Sequence, residues 1–242
     1  MRQVADPTVG TDIFDVDSVE QAVVLLLCRR RHEVRGGTAR SAVNSIVTLF
    51  ETLRDEGWNT SVAAMFGDTG PAEVYETGFA HDIDVILALE APTMATAYKG
   101  ADRFEYAGWS QLFHTEWNIG RREFKPVPST KGRDPTAPWN MFALWEWNDA
   151  WQSASPDERR EYDIECDRAF RSDLDSGVSI AGRHRLDPQS TWHHLGMWEA
   201  PTFDHITNGI AVHEEVADLM FTTSRHYVGH RRLAADYFGA IA

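Results

Sequence analysis

The run Val23 to Arg29 is apolar over nearly its whole length, the signature of a strand buried on both faces. After it, Val43, Ile46, Val47, Phe50 and Leu53 recur at three- and four-residue spacing, which predicts an amphipathic helix that Gly57 ends. Ser61 to Phe66 and Ile83 to Leu89 read as two further strands joined by a Gly- and Pro-containing loop. A helix from near Pro92 and a strand over Leu112 to Ile119 follow. The pattern then starts again, with Met141 to Trp147 as a strand. Ser155-Pro156-Asp157-Glu158 opens a helix with a capping hydroxyl, Pro in the first turn and Glu three residues after the Ser. Tyr162, Cys166, Ala169 and Phe170 supply its apolar face. Ile180 to Leu186 and Trp192 to Trp198 are strand-like, a helix spans about Pro201 to Leu219, and a strand runs from about Thr222 to Val228.

The two halves share residues as well as element order. Glu90-Ala91-Pro92-Thr93 recurs as Glu199-Ala200-Pro201-Thr202, an offset of 109. The same offset maps Gly100 to Gly209, Glu105 to Glu214, Gly120 to Gly229 and Arg122 to Arg231. Eight identities fall in 33 ungapped positions, where chance supplies roughly two. We therefore read an internal duplication: an α+β chain of two tandem ferredoxin-like βαββαβ units whose sheets pair as a pseudo-dimeric α/β barrel. The division is an acidic, loosely held segment over 1–20, a first unit over 21–124, a polar linker with four prolines over 125–138 and a second unit over 139–242.

Composition narrows the function. The net charge of −14, from 37 acids and 23 bases, weighs against nucleic acid as a partner. No apolar run approaches the roughly 18 residues of a membrane span, and the acidic start has no apolar signal core, so a cytoplasmic protein with no membrane partner is expected. Cys28 and Cys166 read as buried thiols. There is no Gly-rich phosphate loop, Gly-x-Ser-x-Gly elbow, paired CxxC or His-Glu-x-x-His, which disfavours nucleotide cofactors, hydrolases and zinc enzymes. The load of nine Trp, twelve Phe, six Tyr and ten His serves core packing first and cavity lining second.

The order of elements, with Trp- and His-bearing strands, resembles the dimeric α/β-barrel superfamily in its fused form. That superfamily includes monooxygenases, isomerases and the two-domain haem proteins typified by chlorite dismutase and aldoxime dehydratase. Gly196-Met197-Trp198, the helix with His213 and the strand with Arg225-His226-Tyr227-Val228 look like the corresponding run of the aldoxime dehydratases. The resemblance implies haem in the C-terminal half, with His213 as the axial metal ligand and His226 as the acid or base opposite.

The duplication points to the same residues. At offset 109, His213 stands where the first unit has Phe104, His226 where it has Trp117, and His193 and His194 where it has Asp84 and Val85. Imidazole ligates iron, copper and zinc and exchanges protons near neutral pH. Glu214 and Glu215 beside His213 equally suit a solvated helix face, and His226 equally suits a structural place on an alternating strand. Arg225, with Arg183 and Arg185, is a candidate for substrate binding or a solvated strand edge. His184 and His194 on neighbouring strands are a weaker metal pair. The leading expectation is a haem-dependent lyase or oxidoreductase for a nitrogen- or oxygen-containing metabolite, with His226 and Arg225 at the open iron position. The alternatives are a cofactor-free monooxygenase or isomerase of an aromatic metabolite in secondary metabolism, with His184 or His194 as base, and a non-catalytic ligand-binding module. The expected partner is a small-molecule substrate, with homo-oligomers formed through edges or helices.

Overall fold

The computed structural model describes residues 20–31, 37–78, 82–216 and 218–241. The acidic segment over 1–19 lies outside the described residues. The first unit runs β1 (Ala22–Arg30), α1 (Gly37–Asp55), α2 (Val62–Met65), β2 (Glu73–Glu76), β3 (Val85–Ala91), α3 (Met94–Tyr106), α4 (Trp109–Leu112) and β4 (Phe113–Arg122). The second runs β5 (Trp139–Trp147), α5 (Asp149–Ser153), α6 (Pro156–Ser176), β6 (Ser179–Leu186), β7 (His194–Ala200), α7 (Phe203–Glu215), α8 (Asp218–Phe221) and β8 (Thr222–Leu233). A last helix, α9 (Ala234–Ile241), follows.

The eight strands close into one antiparallel barrel in the order β1-β3-β2-β8-β5-β7-β6-β4. Each unit contributes four adjacent strands in the ferredoxin-like order, and the seams β2–β8 and β4–β6 join the units. Strand alternation sorts the side chains into three cores. Val23, Leu25 and Leu27 of β1 point into the barrel with Tyr75, Ile86, Phe142, Leu195, Met197 and Tyr227. Val24, Leu26 and Cys28, on its other face, pack under the first unit's helices. This is why β1 reads as a continuous apolar run. The second unit's outer core lies between its sheet and α6, α7 and α8.

The offset of 109 holds from β3 to β4 against β7 to β8, whereas β1 and β5 are 117 apart, so the duplication is in register only over the second half of each unit. Two of the shared glycines have a steric cause. A Cβ on Gly120 would sit 2.4 Å from the Arg185 carbonyl oxygen, and one on Gly229 2.6 Å from Tyr75 Cβ. Both lie on strands at the seams, where the two units' backbones meet.

Two expectations change. Ser61 to Phe66 is not a strand: the Ser61 hydroxyl accepts the Ala64 N–H and caps the one-turn helix α2. The second strand is instead Glu73–Glu76, too short for its alternation to stand out. The helix expected over Pro201 to Leu219 breaks into α7 and the one-turn α8. Helix α9 lays Tyr237 and Phe238 into the first unit's outer core. The polar stretch after β4 is tied down, with Val127 bridged to Ile180 and Arg133 paired with Glu199 and Asp68. Among the described residues no helix is long and apolar enough to cross a membrane.

Candidate functional site

Helix α6 stands on its capping box, Ser155 and Glu158 each bonding the other's backbone N–H. Its buried stripe, Tyr162, Cys166, Phe170 and Asp173, is turned to the outer face of the second sheet. Helix α7 lies beside it, capped by Thr202. Its Gly209 permits the approach, since a Cβ there would come 2.7 Å from Asp173 Oδ1.

Between these helices and the outward side chains of β5 and β8 lies a cavity that is open to solvent. Its walls are Met141, Ala143, Trp145 and Trp147 of β5, Tyr162, Asp163, Cys166 and Phe170 of α6, and Trp198 of β7. Arg183, Ile210, Leu219, Thr222 and Ser224 complete it, with His213 and His226. His213 on α7 and His226 on β8 thus come to one chamber.

His213 does not lie on the solvated face that its acidic neighbours allow. Its side chain is 12% exposed and its Nε2 is 3.1 Å from Asp173 Oδ2. The same oxygen accepts the Trp198 indole N–H at 3.1 Å, and Asp173 is buried. A carboxylate oxygen only accepts, so Nε2 carries the hydrogen and Nδ1 is the basic nitrogen of the neutral ring. The pair is a His–carboxylate dyad at the wall of an aromatic chamber. Sequence reasoning missed Asp173, although its place on the apolar stripe of α6, in line with Tyr162, Cys166 and Phe170, is a legible signal.

Other candidates are placed elsewhere. Arg225 shares its face of β8 with Tyr227, one residue out of phase with His226. Its side chain is 51% exposed, 3.7 Å from Asp82 Oδ1, with its guanidinium over the Tyr227 ring. It does not line the cavity with His226. His184 and His194 do not form a metal pair: His184 is opposite Leu195 and His194 opposite Arg185, so the two imidazoles project to opposite faces of the sheet. Among the described residues no group of three or more His, Cys, Asp or Glu is arranged to hold a metal ion. His194 is stacked on Trp145 at 5.1 Å and touches Arg185 Nη1 at 2.9 Å. His184 is fully buried near Glu90, which accepts from Arg122 Nε at 2.5 Å. Burial and the neighbouring Arg122 hold the His184 pKa below its usual value, against the pull of Glu90. Burial pushes the Glu90 carboxyl up, but His184 and Arg122 outweigh it and hold it at about 2.

The first unit has no counterpart to the chamber at the matching positions. Phe104 and Trp117 stand where His213 and His226 do, and they pack with Trp109 in a closed aromatic core.

No protein-family model matches the chain, and no curated protein matches its sequence. Solved structures do. An arginine-to-glutamate variant of chlorite dismutase from Candidatus Nitrospira defluvii superposes with a TM-score of 0.73 at 10% identity, over 93% of this chain and 97% of that one. The same organism's chlorite dismutase in complex with imidazole gives 0.72 at 11% identity, over 93% and 96%. A tryptophan-to-phenylalanine variant in complex with cyanide gives 0.67 at 9% identity, over 93% and 96%. The fold is the chlorite dismutase-like form of the dimeric α/β barrel.

Proposed function

We propose that this chain is a haem-dependent enzyme acting on a nitrogen- or oxygen-containing small molecule in the chamber between the second sheet and α6 and α7. The observation that carries this is the convergence of His213 and His226 on one aromatic cavity, at positions the first unit fills with Phe104 and Trp117. The residues present suit the group. His213 is an imidazole donor with a buried carboxylate behind it, the usual support of a metal-bound His. Trp145, Trp147, Trp198 and Phe170 offer flat apolar walls to a macrocycle. The neighbour's complexes with imidazole and cyanide, both molecules with a metal-binding lone pair, support an iron site in this fold.

Haem bound there would supply iron as a Lewis acid or redox centre. The chain's own contribution is to hold and to move protons. His213 would hold the group, its ring fixed by Asp173, which accepts from Nε2. Trp198 holds Asp173 in place by donating to the same oxygen. His226 is the group that gives or takes the substrate proton. The absorption spectrum of protein from haem-supplemented cells tests the reading, beside that of His213→Ala. A Soret band that is lost or shifted in the variant is expected. A parent that shows none and takes up no added haemin overturns it.

The Nε2–Asp173 bond also favours a second, cofactor-free reading as a monooxygenase or isomerase of an aromatic metabolite. An imidazole oriented by a carboxylate is a general base without any metal. In that case His213, and not the buried His184 or His194, abstracts the proton. Turnover by colourless, metal-free protein that His213→Ala abolishes distinguishes it.

A further inference from the structure

Glu123, which no part of the reading above uses, lies just behind the cavity wall. It follows the last residue of β4, and its N–H donates to the Arg183 carbonyl at 2.8 Å, which carries the β4–β6 seam one residue further. Its carboxylate Oε2 accepts from Arg183 Nε at 2.5 Å, and the two side chains are 21% and 10% exposed. The Arg183 guanidinium is held from a second side by the Phe124 ring, with 5.1 Å from Cζ to the centroid.

Arg183 is the cationic residue among those that line the chamber. Unpaired, it would draw an anion into a low-dielectric site. Paired at this distance with a carboxylate, it presents little net charge. Asp163, also on the wall, adds a second acid. At the mouth Leu219 is 41% exposed, and Met220 beside it 62%. The entrance is therefore apolar, the walls are mostly aromatic, and the arginine among them is paired with a carboxylate.

We propose that Glu123 is a specificity-determining residue: by neutralising Arg183 it makes the chamber select neutral, flat aromatic molecules over carboxylates and inorganic anions of the same size. This rests on the chamber being the binding site, as proposed above, and not on haem.

The test compares 2-naphthamide with 2-naphthoate, which have the same shape and differ in charge, by calorimetry on the protein as purified at neutral pH. The parent is expected to bind the amide about ten-fold tighter or more, the scale of one close charge interaction. Glu123→Gln is expected to strengthen naphthoate binding about ten-fold with amide binding unchanged, which also shows that the variant is folded. Equal affinities in the parent, or a ratio that Glu123→Gln leaves unmoved, overturn the proposal. Should Glu123→Gln fail to fold, Glu123→Ala removes the same charge behind the wall and is expected to give the same gain in naphthoate binding. Failure of both probes to bind the haem-free parent overturns this proposal and leaves the haem reading to its own spectral test. A missing Soret band with amide selectivity intact removes only haem.

Discussion

Phe104 on α3 and His213 on α7 hold the same place in the two units, 109 positions apart, yet one closes a core and the other lines a chamber. Phe104 is fully buried, edge-on to Trp109 at 5.2 Å and tilted against Trp117 at 6.2 Å. Trp117 in turn matches His226. Helix α9 adds Phe238 to that core, 5.9 Å from Trp109. At these positions one unit packs a closed core and the other borders a cavity.

Copying the first unit's side chains into the second should therefore abolish binding without unfolding the protein. His213→Phe with His226→Trp is expected to end haem or ligand uptake, while stability in urea changes by no more than about 2 kcal/mol, the cost of moderate repacking. Retained uptake, or loss of the folded state, would show that the chamber is not simply an unfilled version of the first core.

Asp173 serves both sides of the site, so its loss has two readouts. Asp173→Ala leaves the Trp198 N–H buried without its acceptor and is expected to cost about 1–3 kcal/mol in denaturant titrations. Asp173→Asn keeps an acceptor for Trp198 and should cost less, yet it removes the carboxylate that orients His213. An Asn variant that kept parental stability and parental ligand binding alike would contradict the dyad.

How much of this was legible depended on what encoded it. Strands β1, β3 and β5 to β8 announce themselves because runs such as Val23 to Cys28 must be apolar on both faces of a covered barrel. Strand β2 did not, since Glu-Val-Tyr-Glu is held by its neighbours' ladders rather than by a pattern of its own. His213 and His226 could be picked out because the first unit supplies an aromatic comparison at each position. Arg225 was paired with His226 by adjacency in sequence, and the two-residue period of a strand separates them. Asp173 stands on the stripe of Tyr162, Cys166 and Phe170, which marks it as buried, but its role comes from α7 lying alongside, a tertiary fact.

The seam glycines should tolerate nothing larger. Gly120→Ala and Gly229→Ala each drive a methyl against the other unit's chain, at 2.4 Å from the Arg185 carbonyl and 2.6 Å from Tyr75 Cβ. Each is expected to cost about 1–3 kcal/mol in chemical denaturation, as for overpacking a closed core. Gly239→Ala is the control: it lies exposed on α9 with no atom within 4 Å of an added Cβ. There the change should stabilise by roughly 0.5 kcal/mol through helix propensity. Seam variants as stable as the control would mean that the two sheets do not meet as closely as described.

Acid should loosen the barrel at the β4–β6 seam through His184 and Glu90. Burial lowers the His184 pKa, so the unfolded chain takes up a proton near pH 6.5 that the native chain refuses. Stability from this group is full above that value and falls as pH drops below it. Glu90 has the same sign at lower pH. Held at about 2 against its ordinary 4.5, it contributes fully above pH 4.5 and loses its contribution as pH falls towards 2. The shift corresponds to on the order of 3 kcal/mol. Urea midpoints of parent, His184→Gln and Glu90→Gln measured from pH 7 to 3 separate the two. The His184→Gln curve is expected to lose the slope that sets in below pH 6.5, and Glu90→Gln the slope below 4.5, whatever constant cost each variant carries from leaving Arg122 less well paired. Three curves that run parallel across the whole range would remove this cluster as the origin of acid sensitivity.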